Sequence, residues 1–162
     1  FGLSQDLGIS RYEAKEYIDS YFKRYYGVKL YIDRVIEEAR EKGYVTTILK
    51  RRRYLPDILS RNFHLRAFAE RAAMNTPIQG SAADIIKLAM IRLQAEIDKQ
   101  GYGGSMILQV HDELIFETPV SEIGRMGQLV REVMSTAYPL AVPLKVDLQT
   151  GPNWYELEPL LL

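Results

Sequence analysis

The sequence contains no cysteine among its 162 residues. Disulfide bonds and thiolate metal sites are therefore excluded. No apolar run approaches the roughly 18 residues that a membrane-spanning helix needs, and no internal repeat or low-complexity segment is present. Hydrophobic residues make up 47% of the chain and charged residues 26%, which is typical of a globular domain, and we expect a cytoplasmic protein.

The formal net charge is zero, but the charges are unevenly distributed. Residues 50–71 carry seven basic residues against two acidic ones, whereas residues 105–162 carry three basic against eight acidic. A basic stretch beside an acidic one indicates one surface for a polyanion and another that holds cations. Two unrelated solvated faces would explain the same counts.

The first 43 residues have the pattern of helices. Ser10 and Glu13 form a capping-box pattern, which predicts a helix from there to about Tyr25. Tyrosines recur every four residues on one face of this helix, and we expect this stripe to be core: Tyr17, Tyr21 and Tyr25. A second helix, VKLYIDRVIEEAREK, is predicted to end at Gly43 as its C-cap.

Strand and helix signals alternate in the middle of the chain. YVTTIL is rich in β-branched residues and predicts a strand, and the basic run Lys50–Tyr54 is predicted to be a loop. A long helix is predicted to begin near Arg61, to be interrupted at Pro77, and to restart at a second capping-box pattern, Ser81 to Asp84.

The last third combines strands with one amphipathic helix. SMILQVHDELIFET reads as two short strands with HDE at or near their turn, SEIGRMGQLVREVMSTA as the helix, and PLKVDLQ as a last strand. The order predicts an α+β fold, in which a helical portion is followed by a small antiparallel sheet backed by long helices.

Three titratable residues, His111, Asp112 and Glu113, interrupt an otherwise apolar run. Apolar strands on both sides make a rigid mount for them, and hard cations such as Mg²⁺ take carboxylate oxygens while keeping waters for substrate phosphates. Strand alternation predicts that Asp112 points away from the other two. The alternative is a polar hairpin tip, where aspartate is an ordinary turn residue.

Two groups of residues have the chemistry of nucleic-acid contact. Arg71, Asn75 and Gln79 recur every four residues, so in a helix they form one ridge of hydrogen-bonding side chains. The basic run that contains Arg51, Arg52 and Arg53 suits phosphate contact. A solvated helix face and an exposed basic loop without a partner are the alternatives.

Three stretches together resemble a known family. QVHDELIFE, preceded by RAAMNTPIQGSAADIIK and RRRYLPD, resembles the C-terminal part of the polymerase domain in the A family of DNA polymerases, and the resemblance runs over essentially the whole chain. It implies part of a right-hand polymerase, with residues 1–50 as the end of the fingers and residues 51–162 as most of the palm. The implied reaction is attack of a primer 3′-hydroxyl on the α-phosphate of a dNTP, assisted by two Mg²⁺ ions.

The resemblance also implies roles for the residues singled out above. Asp112 is implied as a catalytic, metal-binding aspartate, Glu113 as an assisting carboxylate, and His111 as a neighbour of the primer terminus. The implied ridge at the minor groove of the primer–template duplex consists of Arg71, Asn75 and Gln79. Arg51–Arg53 are implied contacts to the nucleic-acid backbone, although family members often have glycine where this chain has Lys50.

The chain opens at Phe1 without methionine, and we expect it to be a piece of a longer protein. The family site needs a second aspartate and a nucleotide-gripping fingers helix, and both belong upstream of Phe1. We therefore expect that the isolated chain does not polymerise DNA, that it depends on the remainder of the polymerase as a partner, and that its uncovered apolar surface makes it self-associate.

Three other functions are compatible with parts of the pattern. One is a non-enzymatic duplex-binding module that uses the basic run and the Arg–Asn–Gln ridge. A second is a metal-dependent phosphoesterase, which would need further ligands. A third is a single-subunit RNA polymerase, which shares a similar third motif, although the stretch ERAAMNTPIQGSAADIIK favours the DNA enzyme.

Overall fold

The computed structural model describes residues 2–162, so Phe1, the first residue of the predicted fingers segment, lies outside the described residues. Within that range the fold is α+β, as predicted, with five α-helices and three two-stranded antiparallel sheets. The chain forms two compact units, the first ending at Ile78 and the second spanning Gln79–Leu162. None of the helices in residues 2–162 combines the length and apolar character needed to cross a membrane.

The first unit contains three helices, one hairpin and the beginning of a long helix. In chain order these are α1 (Gly2–Asp6), α2 (Arg11–Arg24), α3 (Tyr26–Lys42), β1 (Tyr44–Thr46), β2 (Arg52–Tyr54) and α4 (Phe63–Gln100), which continues into the second unit. A cluster of small and branched apolar residues forms the core of this unit: Ala39, Val45, Leu55, Ile58, Ala69 and Ala73.

Two predicted helix caps are confirmed. The Ser10 hydroxyl accepts a hydrogen bond from the Glu13 amide at 3.2 Å, and the Glu13 carboxylate accepts one from the Ser10 amide at 2.9 Å. Hydrogen bonds from the Ser10 side chain and from the Ser10 amide to the Glu13 carboxylate lower the pKa of Glu13. At the end of α3, Gly43 has a φ of 74° and is the left-handed C-cap. The second helix begins earlier than predicted, because α3 starts at Tyr26 and not at Val28.

The expectation that the tyrosine stripe of α2 is core is wrong for this chain. Tyr17, Tyr21 and Tyr25 are 63%, 49% and 54% exposed, whereas the buried residue of α2 is Ala14. Tyr21 packs instead against its neighbours on the same helix, with ring centroids 5.4 Å from Phe22 and 5.0 Å from Tyr25. Periodicity finds the apolar face of a helix, but it does not show that another element covers that face.

The prediction that Lys50–Tyr54 is a loop is wrong for its second half. Arg52–Tyr54 is strand β2, which pairs antiparallel with β1 in the register Tyr44↔Tyr54, Val45↔Arg53 and Thr46↔Arg52. The predicted strand YVTTIL is correspondingly shorter, because the chain turns after Thr46. Pairing between distant strands leaves no local signal in a run of arginines.

The predicted interruption at Pro77 is also wrong. Helix α4 is continuous over 38 residues with Pro77 inside it, so Ser81 and Asp84 lie in the helix interior and do not form an N-terminal cap. A proline there removes one backbone hydrogen bond and costs about 3 kcal/mol. Burial on both sides of Pro77 opposes this cost, since Ala73 before it and Leu93 after it are fully buried.

The second unit combines the end of α4 with a hairpin, a helix and a short terminal sheet. Its further elements are β3 (Ser105–Val110), β4 (Glu113–Glu117), a short 3₁₀ helix (Val120–Glu122), α5 (Ile123–Ser135), β5 (Gln149–Thr150) and β6 (Glu158–Pro159). The predicted amphipathic helix is confirmed as α5. Apolar side chains of α4 and α5 form the core cluster of this unit: Leu93, Ile97, Met126, Leu129 and Val130.

The predicted last strand, PLKVDLQ, is largely wrong. Only its final residue, Gln149, lies in a strand, and β5 pairs with β6 through Gln149↔Pro159 and Thr150↔Glu158. Leu148, just before β5, packs against the core cluster, and its carbonyl accepts a hydrogen bond from Leu160 at 2.9 Å. Alternating apolar residues therefore mark a segment that packs as extended chain without a strand partner.

Helix α5 meets the end of the chain at Gly127. A Cβ atom at this position would lie 2.8 Å from a methyl carbon of Leu160 and 2.8 Å from one of Leu162. Gly124, one turn earlier on the same helix, has no heavy atom within 4 Å of a Cβ built on it. Gly127 thus allows the terminal leucines to pack directly on the helix backbone.

We predict that Gly127→Ala and Gly124→Ala move stability in opposite directions. Alanine raises intrinsic helix stability by up to about 1 kcal/mol, and Gly124→Ala should keep that gain. At Gly127 the added methyl displaces two leucines, so that variant should be about 1–2 kcal/mol less stable than Gly124→Ala. Urea unfolding of both variants measures the difference, and equal stabilisation by both would contradict the predicted packing.

Candidate active site

The three titratable residues lie at the tip of the β3–β4 hairpin, as predicted. The last pair of the ladder is Val110↔Glu113, so His111 and Asp112 form a two-residue turn and Glu113 begins β4. All three side chains are exposed. The sequence therefore places an imidazole and two carboxylates side by side at the end of a short antiparallel hairpin.

The predicted alternation of these side chains does not hold, because His111 and Asp112 lie in the turn and not in a strand. Alternation applies to Glu113 onward. Leu114 and Phe116 pack against the core cluster of the second unit, so Glu113 belongs to the opposite side. We call this side, with Leu108, Val110, Glu113 and Ile115, the outer face of the hairpin. The direction of Asp112 relative to Glu113 is set by the turn.

Backbone constraints hold this turn in one shape. His111 has a φ of 53°, in the left-handed region that non-glycine residues seldom adopt. The Gln109 side-chain amide donates a hydrogen bond to the His111 carbonyl at 3.1 Å. A bulge at Ile107 shifts the register of β3, which changes from Met106↔Phe116 to Leu108↔Ile115. The turn is thus fixed from its own strand and from the core below it.

The carboxylates of Asp112 and Glu113 are available to a ligand. Within residues 2–162 neither makes a hydrogen bond or an ion pair with another residue. The same residues contain no group of three or more His, Asp or Glu side chains arranged to hold a metal ion. This donor set is too small for a cage made of protein ligands alone. It fits Mg²⁺, which binds to one or two carboxylates together with phosphate oxygens.

The predicted polar ridge lies on α4. Arg71, Asn75 and Gln79 are all exposed and follow one another at four-residue spacing along this helix. The helix continues through Pro77, so the periodicity on which the ridge depends is kept. The guanidinium of Arg71 lies 6.0 Å from the ring centroid of Phe68, one turn earlier.

The three arginines of the basic run occupy different environments. Arg51 lies in the turn between β1 and β2, where its amide donates to the Thr47 hydroxyl at 3.2 Å. Arg52 stacks over the ring of Tyr44 at 4.7 Å, and its pKa is raised above the usual value by a hydrogen bond with Tyr54. Arg53 is paired with Val45, on the other face of the hairpin.

Sequence reasoning missed the residues that hold these arginines. Arg53 donates to the hydroxyl of Thr76 on α4 at 3.1 Å, and Thr76 is only 8% exposed. Tyr44 and Tyr54, whose ring centroids are 5.7 Å apart, form the surface on which Arg52 lies. In the sequence, the signal for this surface is a tyrosine at the start of β1 and another at the end of β2. Their pairing is visible only once the register is known.

Lys50, which precedes the arginines, has a left-handed backbone. Its φ is 65°, and its amide donates to the Thr47 carbonyl at 2.9 Å to close the turn. Glycine adopts this conformation without a steric penalty. The backbone therefore explains why glycine suits the position at which this chain carries lysine.

The sequence of this chain is similar to those of known proteins over most of its length. The model of DNA polymerase family A matches residues 1–156. The DNA polymerase I of Geobacillus stearothermophilus is 59% identical over 156 residues, and that of Streptococcus pneumoniae serotype 4 is 58% identical over the same length. Each alignment covers 96% of this chain but 18% of the relative, so the chain spans less than a fifth of the length of these proteins.

A solved structure is similar over most of the chain. The POL domain of Pol1 from M. smegmatis, in complex with DNA primer-template and dNTP, superposes with a TM-score of 0.86 at 53% sequence identity. The superposition covers 90% of this chain and 26% of that one.

The left-handed backbone of Lys50 can be tested by substitution in the chain itself. Lys50→Gly should raise the free energy of unfolding by about 0.5–1 kcal/mol, because relief of the left-handed strain exceeds the added entropy of the unfolded glycine. Lys50→Ala removes the same charge but keeps the Cβ, and should give no gain. Denaturant titration separates the two, and equal stability of both variants would show that charge, not backbone, governs the position.

Proposed function

The chain belongs to DNA polymerase family A, and from that premise we propose that its residues form part of the synthetic site of a template-directed DNA polymerase. The observation that carries the proposal is the close likeness to a polymerase domain in complex with DNA primer-template and dNTP, at 53% identity and a TM-score of 0.86. The constrained His111–Asp112 turn adds to it, because a ligand of a reacting centre needs a fixed position.

We infer that the hairpin tip acts at the growing primer end. Asp112 would hold Mg²⁺, Glu113 would assist as a second carboxylate, and His111 would lie beside the primer terminus. When bound, Mg²⁺ supplies electrostatic stabilisation to the attacking 3′-hydroxyl and to the leaving phosphate oxygens. The exposure and rigid support of these side chains support the assignment.

We propose that helix α4 and the hairpin of β1 and β2 supply contacts to the primer–template duplex. Arg71 and Asn75, with Gln79 further along α4, offer hydrogen-bond donors to the minor groove, where acceptors of the bases are accessible. Arg51 and Arg52 are the stronger candidates for phosphate contact. Arg53 is the weaker one, because one of its guanidinium nitrogens already donates to Thr76.

We further propose that residues 1–50 belong to the fingers and residues 51–162 to the palm. The outer face of the hairpin supports a need for a partner, since Ile107 at the bulge is 55% exposed and Leu108 on that face 46%. The occupant we propose for this face is another part of the same polymerase. In its absence, the isolated chain would self-associate.

We predict that Asp112→Asn in the full-length polymerase lowers the rate of nucleotide incorporation by about 1000-fold or more. The substitution removes the charge that holds the cation, and metal stabilisation of the transition state is worth several kcal/mol. Single-turnover primer extension measures the loss, and affinity for primer–template should persist.

Glu117→Gln is the matched control, because it removes another exposed carboxylate, at the far end of strand β4 that follows Asp112. It should leave incorporation within about twofold of the parent. Equal activity of Asp112→Asn and the parent would overturn the proposed role of Asp112. Loss of DNA affinity in Asp112→Asn would point to a purely structural effect.

We also predict that the isolated 162-residue chain does not extend a primer. Its hairpin mounts Asp112 as the implied metal ligand, whereas the two-metal reaction that the family implies requires a second essential aspartate. Primer extension with purified chain and Mg²⁺ should stay at background. Extension that is abolished by Asp112→Asn would contradict this prediction.

A further inference from the structure

A buried hydroxyl links the arginine strand to helix α4. The Arg53 guanidinium donates to Thr76 Oγ1 at 3.1 Å, and the Thr76 hydroxyl donates to the Ala72 carbonyl at 2.7 Å. Thr76 is 8% exposed, and Ala73 beside it is fully buried. The buried hydroxyl therefore accepts one hydrogen bond, from the exposed Arg53, and donates another, so its removal would leave the Arg53 guanidinium without this partner on α4.

The link lies beside Pro77, where the helix lacks one backbone hydrogen bond. Thr76 directly precedes Pro77, which has no amide hydrogen to donate within the helix. A threonine hydroxyl that bonds back to the carbonyl four residues earlier also bends a helix locally. At this turn of α4, a side-chain contact from strand β2 therefore adds to the backbone hydrogen bonds of the helix.

The residues on either side of this link are those proposed to contact DNA. On α4, Arg71 directly precedes Ala72 and Asn75 directly precedes Thr76. On β2, Arg52 directly precedes Arg53. Arg53 is paired with Val45, whereas Arg52 is paired with Thr46 on the opposite face of the hairpin. Because Arg53 is held on α4, its neighbour Arg52 on the opposite face of the hairpin is restricted in its position relative to Arg71 and Asn75.

We propose that Thr76 is a positioning residue for DNA binding, which sets the spacing between the arginine strand and the Arg71–Asn75 segment through Arg53. This inference rests on the proposed function, because the spacing matters only if both groups meet one duplex. It assigns Thr76 no contact with DNA. It also separates Arg53 from its neighbours, since Arg53 acts through Thr76 while Arg51 and Arg52 act on phosphates.

The test uses the full-length polymerase that contains this chain. Thr76→Val keeps the shape and removes the hydroxyl, and should raise the Kd for primer–template by about tenfold, the effect of losing a hydrogen bond to a charged group. Thr76→Ser restores the hydroxyl and should stay within about twofold of the parent. Equal Kd values for the valine and serine variants would overturn the proposal.

A matched control removes a different tie to the same helix. Arg40 on α3 forms an ion pair with Glu70 on α4 at 2.7 Å, away from the turn at Pro77. Arg40→Gln should leave the Kd within about twofold, because exposed ion pairs contribute little. A loss equal to that of Thr76→Val would mean that any weakening of this unit reduces DNA affinity, and would overturn the specific role of Thr76.

A double-mutant cycle distinguishes positioning from direct contact. If Arg53 acts through Thr76, adding Arg53→Ala to Thr76→Val should raise the Kd by no more than about twofold further. Additive losses would show that Arg53 contacts DNA directly and would overturn the inference.

Hydrogen exchange keeps the link testable if Thr76→Val fails to fold. Arg53→Ala should accelerate amide exchange between Ala72 and Ile78 without DNA, and unchanged exchange would overturn the link. Suppose that Arg53→Ala accelerates exchange but that the parent protein does not bind primer–template. The link then exists, and the proposed function is wrong.

Discussion

Helix α4 is continuous across Pro77, and it supplies buried side chains to both apolar clusters. Ala69 and Ala73 belong to the first cluster, and Leu93 and Ile97 to the second. The proline costs about 3 kcal/mol of helix stability, and the burial of these side chains on either side opposes that cost. The proline is thus tolerated by tertiary packing and not by any local preference of the sequence.

The hairpin of β1 and β2, which carries the arginines, and the hairpin of β3 and β4, which carries Asp112, each have a strained backbone in the turn. Lys50 and His111 are the two non-glycine residues in residues 2–162 with a positive φ, and each sits directly beside a proposed ligand-contacting group. The conformation persists because neighbours impose it: Thr47 closes the first turn, and Gln109 holds the second. Strain of this kind costs about 1–2 kcal/mol per residue and fixes the direction of adjacent side chains.

Local signals in the sequence predicted what local forces determine. The capping box at Ser10, the C-cap at Gly43 and the hairpin turn at His111 each depend on residues within a few positions of one another. The pairing of Arg53 with Val45 joins residues eight positions apart, and the contact of Arg53 with Thr76 joins residues 23 positions apart, so no periodicity reports either of them. The sequence of the arginine strand therefore predicts a loop, and it gives no indication that Thr76 holds Arg53.

The bulge at Ile107 determines which side chains of β3 and β4 share a face. Side chains alternate with a period of two, and the extra residue decides that Gln109 shares a face with Leu114 while Val110 pairs with Glu113. Deleting or inserting a single residue in β3 would exchange the buried and exposed faces and redirect the turn. An insertion or deletion that preserves this hairpin is therefore expected only in the loops beyond Ser105 and Glu117.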